Sequence, residues 1–224
     1  MQELRLEDIP HARAWSELQS VSEEYTAAGG DAAFWTWKRV VDVAIAVAAS
    51  PLLLVTGLAL FAANPMANPG PLLYRQRRMG LEGRPFVIVK FRTMRPGPTR
   101  GAFHALERGR ITPLGRILRR SRVDELPQLW NVLRGEMSLI GPRPDYFEHA
   151  VSYVRSIPGY RARLVVRPGI SGLAQVRLGY AEGVAPTVRK VRFDRLYIRN
   201  ACWRMELRIM LETLRVLATG AGAR

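Results

Sequence analysis

The 224-residue sequence predicts a mostly helical α+β fold that contains a re-entrant membrane helix, interfacial amphipathic helices and a small antiparallel β-hairpin. Three observations support this prediction. An uncharged apolar run covers residues 43–63, strand-like segments follow at 71–76 and 86–91, and apolar residues recur at helical spacing in the C-terminal part. At this length the chain forms one sizeable core, or one domain with an appendage.

Charge is distributed unevenly and divides the chain into three regions. The formal net charge is +15, but residues 1–37 carry −5, so the remainder carries +20. We predict an acidic appendage at 1–33, an interfacial and membrane-helix segment at 34–70, and a folded domain at 71–224. The basic remainder indicates partners rich in phosphate: nucleotides, anionic lipids or nucleic acids. Cys202 is the single cysteine, so no internal disulfide exists, and a buried thiol is expected.

The apolar run, Val43–Ala63, is long enough to enter a bilayer but is interrupted near its middle. As an unbroken helix its 21 residues would measure about 31 Å, close to the thickness of the hydrocarbon layer. Ser50 and Pro51 interrupt the run. Proline removes one helical hydrogen bond and disfavours helix in the residue before it, so we expect a kink here, within a helix–break–helix arrangement.

Cations at both ends of the run favour re-entry over spanning. Lys38 and Arg39 precede it, and three arginines between residues 75 and 78 follow it. Because Lys and Arg concentrate on the cytoplasmic side, both ends are expected there. Asp42 would pair with Arg39 or cap the entering helix. A kinked spanning helix and a buried helix of a soluble protein are the open alternatives. The residues predicted to set this topology are Lys38, Arg39, Asp42, Ser50 and Pro51.

Two extended segments after the run predict the antiparallel hairpin. Glycines separate residues 71–76 from residues 86–91, and Lys90 and Arg92 lie at the end of the second strand. Two cations at a strand terminus are suited to binding an anion. Residues 95–110 are rich in glycine and proline and predict a loop.

The central stretch of the chain combines two adjacent carboxylates with an excess of arginine. Asp124 and Glu125 precede Pro127, which suits the first turn of a helix, and residues 108–122 carry six arginines and no acid. On spacing alone, an Asp–Glu pair before a helix is most often a cap. The arginines favour a second interpretation, because an anionic nucleophile approaches a phosphate only where cations neutralise both.

Further signals order the rest of the folded domain. Residues 112–120 predict a helix, and residues 138–144 predict a rigid turn that presents Arg143 for a phosphate contact or leaves it solvated. Residues 145–156 predict another helix, and residues 167–175 form a second glycine-rich turn. An apolar stripe from Trp203 to Leu217 indicates a core face, or else a basic amphipathic helix on a membrane surface.

Residues 38 to about 203 resemble the bacterial sugar transferases, the monotopic phosphoglycosyl transferases that start glycan assembly on a polyprenyl phosphate. Five segments carry the likeness and occur in this order: Lys38-Arg39 with Asp42 and Ser50-Pro51, Gln76–Gly80 with Lys90–Met94, Asp124–Leu129, Asn131–Pro144 and Arg167–Gln175. Each segment is weak by itself, and the ordered set is highly specific.

The resemblance implies a catalytic domain on the cytoplasmic face of the inner membrane and a two-step reaction. Asp124 would attack the sugar-bearing phosphate of a nucleotide diphosphosugar and release the nucleoside monophosphate. A polyprenyl phosphate would then take the phosphosugar from the carboxylate. Glu125, together with Asp124, would hold Mg²⁺. The resemblance assigns substrate binding to Lys90, Arg92, Arg119, Arg143 and Gln175.

Departures from the family and two other classes of function accompany this assignment. Glu136 stands where the family usually has aspartate, a mild change. The aspartate that the family has near residues 203–206 is displaced or replaced here, where the segment ends in Glu206. The chain also lacks the preceding transmembrane helices of larger members, so it resembles a short form. The alternatives are a basic nucleic-acid-binding protein and a membrane-anchored partner without chemistry. The apolar run argues against the first, so nucleic acid is not an expected partner, whereas a homo-oligomer is compatible with the sequence.

Overall fold

A computed structural model describes residues 29–96, 108–178 and 184–219. The α-helices in these ranges are α1 (Ala32–Ala67), α2 (Pro113–Arg120), α3 (Gln128–Leu133), α4 (Phe147–Ser156), α5 (Leu173–Leu178), α6 (Val184–Arg199) and α7 (Trp203–Thr219). The strands are β1 (Leu73–Met79), β2 (Pro85–Phe91), β3 (Ser138–Ile140) and β4 (Gly169–Ser171). Short 3₁₀ helices cover Leu81–Gly83, Arg108–Arg110, Val123–Glu125 and Tyr160–Val165. Most of the predicted acidic appendage and of the predicted 95–110 loop lies outside the described residues, and the three-region division stays a prediction.

Helix α1 is a single helix of 36 residues. Asp31 begins it by accepting a hydrogen bond from the backbone N–H of Phe34 at 2.7 Å. The break expected at Ser50 and Pro51 is not observed, because the helix continues on both sides of the proline. The kink at Pro51 stays a prediction. Ser50 Oγ donates to the carbonyl of Ala46 at 2.8 Å, one turn earlier, so the side chain supplies a hydrogen bond where the ladder is weakened.

One stripe of α1 packs on the folded body along the whole helix, and the opposite face is exposed and apolar. The stripe recurs every three or four residues and includes Phe34, Lys38, Asp42, Ala46, Leu53 and Leu60. Exposed positions include Trp37, Val47, Leu54, Val55 and Phe61. Among the described helices, α1 alone is long and apolar enough to cross a membrane.

The hairpin and the helices around it agree with the sequence. Strands β1 and β2 pair antiparallel, with Leu73 opposite Phe91. Thr112 caps α2 through a 3.0 Å hydrogen bond from Gly115 N–H, and Gly135, with φ of 81°, follows the end of α3. One core cluster joins the inner face of the hairpin to α1 and α3, which fixes β2 against the central stretch.

The turn predicted at 138–144 is partly a strand, because β3 pairs with β4 in parallel. Gly141 and Gly169 lie where the two segments meet, and a Cβ on Gly169 would lie 2.1 Å from Gly141 N. Three-residue strands carry no alternation that a sequence pattern could reveal. This pairing places the end of β3, which leads to Arg143, beside β4.

Two expectations for the C-terminal part are wrong. Cys202 is exposed, not buried. The predicted core face of α7 is exposed at Trp203, Leu207, Leu211 and Leu214, whereas Glu206 and Ile209 are buried. Most of the stripe therefore does not serve the core, although Met210 packs against it, and placement on a membrane surface stays a prediction.

Candidate active site

A sharp turn presents the two central carboxylates. Arg122 adopts a left-handed backbone conformation with φ of 57°, which a non-glycine residue rarely takes. It redirects the chain from α2 into the 3₁₀ helix Val123–Glu125, and Pro127 then begins α3. Neither Asp124 nor Glu125 makes a side-chain cap, so the capping interpretation is wrong.

Glu125 is buried in a ring of cations. Its Oε1 lies 2.7 Å from Arg143 Nη2, 2.9 Å from Lys90 Nζ and 3.8 Å from Arg122 Nη1. Burial by itself would raise the pKa of Glu125, but Arg143 and Lys90 outweigh it and hold that pKa well below its usual range. Glu125 is therefore ionised at neutral pH.

Asp124 differs from its neighbour because no described residue satisfies it fully. The side chain is buried, and Oδ1 has no hydrogen-bond partner within residues 29–96, 108–178 and 184–219. Burial, followed by the charge of Glu125, raises the pKa of Asp124 to about 6, while Lys90, Arg119 and Arg122 oppose the rise. A carboxylate oxygen that is ionised at neutral pH and makes no hydrogen bond is available to a ligand or to a reacting atom.

Lys90 comes from β2 and is held by the adjacent helix. Asn131 on α3 completes the outer edge of β2, because its Oδ1 accepts from Val89 N–H at 3.2 Å and its Nδ2 donates to the Val87 carbonyl at 2.7 Å. Burial, and then the charge of Arg143, lowers the pKa of Lys90 to about 8 against the opposing effect of Glu125.

Three polar side chains near the carboxylates also have buried atoms that find no hydrogen-bond partner among the residues the structure describes. These atoms are Arg119 Nη1, both amide atoms of Gln128, and Gln175 Oε1. Gln175 lies beside Arg143, since its Nε2 donates to the Ile170 carbonyl at 3.0 Å and Arg143 Nη1 approaches that carbonyl at 3.5 Å. Buried polar atoms are normally paired, so this concentration is typical of a ligand site.

Gln128 was missed by the sequence reasoning. It is fully buried and lies four residues after Asp124, on a continuously right-handed turn that places both side chains on one face. A single glutamine in a short helix carries no pattern that separates it from a surface residue. Its position one turn after the acidic pair was the only available signal.

Arg92, predicted to bind substrate, follows Lys90 by two residues, but its donors are engaged by Asn68, Pro71 and Met94. Its Nε donates to Pro71 O at 2.5 Å, its Nη1 donates to Asn68 Oδ1 at 3.0 Å and to Met94 O at 2.7 Å, and its Nη2 donates to Asn68 O. The structure does not bring it to the carboxylates. These bonds hold the C-terminal end of α1 against β2, and the substrate role stays a prediction.

The predicted topology residues near the start of α1 belong to a second buried network. Lys38 Nζ lies 2.7 Å from Glu206 Oε2 and 3.3 Å from Asp42 Oδ1. Asp42 Oδ2 accepts from Ser138 Oγ at 2.7 Å, which ties α1 to β3. Arg39 donates to the Leu133 carbonyl at 3.2 Å, at the end of α3, so Asp42 neither pairs with it nor caps the helix.

The comparisons with known proteins agree with these features. Residues 33–220 match the family model described as bacterial sugar transferase. The chain is 45% identical over 191 residues to a UDP-glucose:undecaprenyl-phosphate glucose-1-phosphate transferase of Caulobacter vibrioides, an alignment that covers 81% of this chain and 70% of that protein.

Two further relatives differ in how much of their own length this chain covers. A UDP-N-acetylgalactosamine-undecaprenyl-phosphate N-acetylgalactosaminephosphotransferase of Aeromonas hydrophila is 41% identical over 84% of this chain, which spans only 45% of that protein. The exopolysaccharide production protein PSS of Rhizobium leguminosarum is 36% identical over 79% of this chain and 92% of its own length. The chain therefore belongs to the bacterial sugar transferase family.

Proposed function

We propose that this chain transfers a sugar phosphate from a UDP-sugar to undecaprenyl phosphate, with Asp124 as the nucleophile. The observation that carries the proposal is the unpartnered oxygen of a buried carboxylate, Asp124 Oδ1, beside the cations that surround Glu125. The relatives named above supply the two substrate classes. The general reaction rests on the family, and the covalent step rests on this geometry.

In the first step, a carboxylate oxygen of Asp124 attacks the sugar-bearing phosphorus of the UDP-sugar. A new O–P bond forms, the P–O bond to the nucleoside phosphate breaks, and UMP leaves with the bonding electron pair. In the second step, a phosphate oxygen of undecaprenyl phosphate attacks the same phosphorus. The bond between phosphorus and the Asp124 carboxylate oxygen breaks, Asp124 leaves with the electron pair as a carboxylate, and the product is a polyprenyl diphosphosugar.

The cations around the carboxylates are suited to the charge that moves in both steps. Lys90 and Arg143 converge on Glu125, and a phosphate that enters beside Asp124 comes within reach of the same donors. Glu125 holds these cations in place before the substrate binds. Such preorganised charge acts most strongly in a site from which water is excluded.

Mg²⁺ fits the donor chemistry of this site, and we propose it as the cofactor. The ion commonly takes one or two carboxylates and completes its shell with substrate phosphate oxygens and water. Within the described part of the chain, Asp124 Oδ1 has no hydrogen-bond partner, and Glu125 Oε2 accepts a long contact from Arg143 Nη1 at 3.4 Å. Asp124 and Glu125 would hold the ion, and the described residues contain no group of three or more metal-ligating side chains. Bound Mg²⁺ supplies neutralisation of the diphosphate charge.

A membrane topology with both ends of α1 on the cytoplasmic side completes the proposal. Lys38, near the start of α1, and Asn68, at its end, both contact the same folded body, through Glu206 and Arg92 respectively. A helix that crossed the bilayer would separate these ends by the thickness of the membrane. The exposed apolar face of α1 would then lie in the cytoplasmic leaflet of the inner membrane.

The decisive experiment uses a UDP-sugar labelled in its sugar, without lipid acceptor. UDP-sugars that carry several different sugars are tested in parallel, because the relatives differ in the sugar they use. Wild-type protein should become covalently labelled and release stoichiometric UMP. Asp124→Asn should do neither, while Glu148→Gln, an exposed acid on α4, should behave like the wild type. Labelling of Asp124→Asn, or UMP release only when lipid is present, would contradict the covalent step.

A further inference from the structure

A buried ion cluster lies under the loop that carries Arg143. Arg163 is at its centre, with a side chain only 2% exposed. Its Nε lies 2.7 Å from Asp194 Oδ2 on α6, and its Nη1 bonds Asp145 Oδ2. Lys190 Nζ binds the other oxygen of Asp145 at 2.5 Å, and Tyr160 OH donates to Asp145 Oδ2 at 2.7 Å.

The third guanidinium nitrogen of Arg163 bonds the active-site loop itself. Its Nη2 donates to the backbone carbonyl of Arg143 at 2.7 Å. The carbonyls on either side are also held: Pro142 O accepts from Gly169 N–H at 3.0 Å, and Pro144 O accepts from Arg78 Nη1 at 3.1 Å. Successive carbonyls are therefore fixed by different elements, and at Arg143 a buried side chain supplies the donor.

We propose that Arg163 is a positioning residue for the transferase reaction, because it holds the backbone of Arg143 so that the Arg143 guanidinium stays directed at the carboxylate pair. This inference rests on the proposed function. The link is short: Arg163 bonds the Arg143 carbonyl, and the Arg143 side chain bonds Glu125 at 2.7 Å. A displacement of the loop would move a phosphate-binding donor, and small displacements of such donors cost large factors in rate.

The competing explanation is that Arg163 only stabilises the fold. Buried ion pairs are costly to desolvate and are often replaceable by apolar residues without loss of stability. The geometry argues for a more specific role. Two of the three guanidinium nitrogens of Arg163, Nε and Nη1, bond carboxylates, which balance its charge, and Nη2 bonds the loop. An apolar side chain fills space but offers no donor to the Arg143 carbonyl.

The test is a double-mutant cycle between Arg163→Lys and Arg143→Ala, read as kcat and KM for UMP release. Lysine keeps the charge but cannot reach three partners at once. Arg163→Lys should lower kcat on the order of tenfold or more in the wild-type background and less than about twofold in Arg143→Ala. Arg155→Lys, at an exposed arginine on α4, is the matched control and should change neither parameter.

Each outcome decides a different question. Equal losses in both backgrounds would overturn the positioning role, because the effect would then not pass through Arg143. Absence of UMP release from wild-type protein would instead refute the proposed function. If Arg163→Lys does not fold, Asp194→Asn disturbs the same guanidinium while keeping an oxygen acceptor, and the cycle is repeated with it under the same criterion.

Discussion

The buried, ionised carboxylate of Asp124 lowers the free energy of unfolding, and its proposed catalytic role explains why it is present. Its carboxylate is buried beside Glu125, and these two causes raise the pKa of Asp124 to about 6. Because the folded-state pKa lies above the unfolded value of about 4, folding favours the protonated acid. The stability gained by protonation is fully present below about pH 4 and is lost as the pH rises through 6.

Asp124→Asn should therefore stabilise the protein at neutral pH while abolishing turnover. The gain in free energy of unfolding should reach about 3 kcal/mol at pH 8 and vanish at pH 4, which thermal denaturation in detergent at both values would measure. A variant that is less stable than wild type at pH 8 would show that the ionised carboxylate is satisfied in the fold.

The pH dependence of turnover should have two limbs. Activity should fall below about pH 6 as Asp124 is protonated, and fall again above about pH 8 as Lys90, whose pKa is lowered chiefly by burial, loses its charge. Lys90→Arg keeps a cation at all these pH values and should remove the alkaline limb only. An unchanged alkaline limb in Lys90→Arg would exclude Lys90 as its source.

Substitution of Gln128 should also raise stability while it lowers activity. A buried amide without partners costs about 1–3 kcal/mol, so Gln128→Leu should raise the free energy of unfolding by about that amount. If the amide meets substrate, the same variant should lose tenfold or more in kcat/KM for the UDP-sugar. Lower stability with unchanged kinetics would mean that the amide has no ligand to bind.

At the scale of elements, a buried ion pair joins α1 to α7. Glu206 on α7 bonds Lys38 on α1 at 2.7 Å and accepts from Tyr197 OH at 2.6 Å. Burial raises the pKa of Glu206, while Lys38 opposes the rise. The sequence left the role of an acid in this segment in doubt. Of the two partners of Glu206, Lys38 is remote along the chain and Tyr197 belongs to another helix, so no local sequence pattern reveals either contact.

Glu206→Ala should loosen the attachment of α1 because it leaves Lys38 buried with only Asp42 as its partner. The expected loss is about 3–5 kcal/mol, measured as a lower melting temperature in detergent. Glu212→Ala on the same helix is the control, since Glu212 forms partly exposed pairs with Arg177 and Arg208 and should cost less than about 1 kcal/mol. Equal losses in the two variants would contradict a special role for Glu206.

The elements that the sequence predicted are those with strong local signals. The hairpin follows from two extended segments separated by glycines, α2 from a Thr-Pro start, and the end of α3 from its glycine. The carboxylate pair and its cations Lys90 and Arg143 were also predicted, and the structure brings them together. The parallel pairing of β3 with β4, and the burial of Gln128 and Arg163, depend on contacts between remote segments and leave no periodic trace.

At the scale of the whole molecule, the proposed topology makes a direct prediction. In a Cys202→Ser background, single cysteines placed near residue 10 and near residue 220 should both resist an impermeant thiol reagent added outside intact cells. Both should react after the membrane is permeabilised, which controls for buried thiols. Labelling near residue 10 alone in intact cells would establish a spanning helix.

The packed stripe of α1 has a consequence for attempts to prepare a soluble enzyme. Leu53 and Leu60 contact the core beside Phe91, and Arg39 holds the end of α3. Deletion of the helix would therefore strip the catalytic body of part of its own interior and uncover apolar side chains beneath it. A truncated protein that starts after residue 70 should aggregate, not dissolve, so solubility has to be sought through substitutions on the outward face of α1.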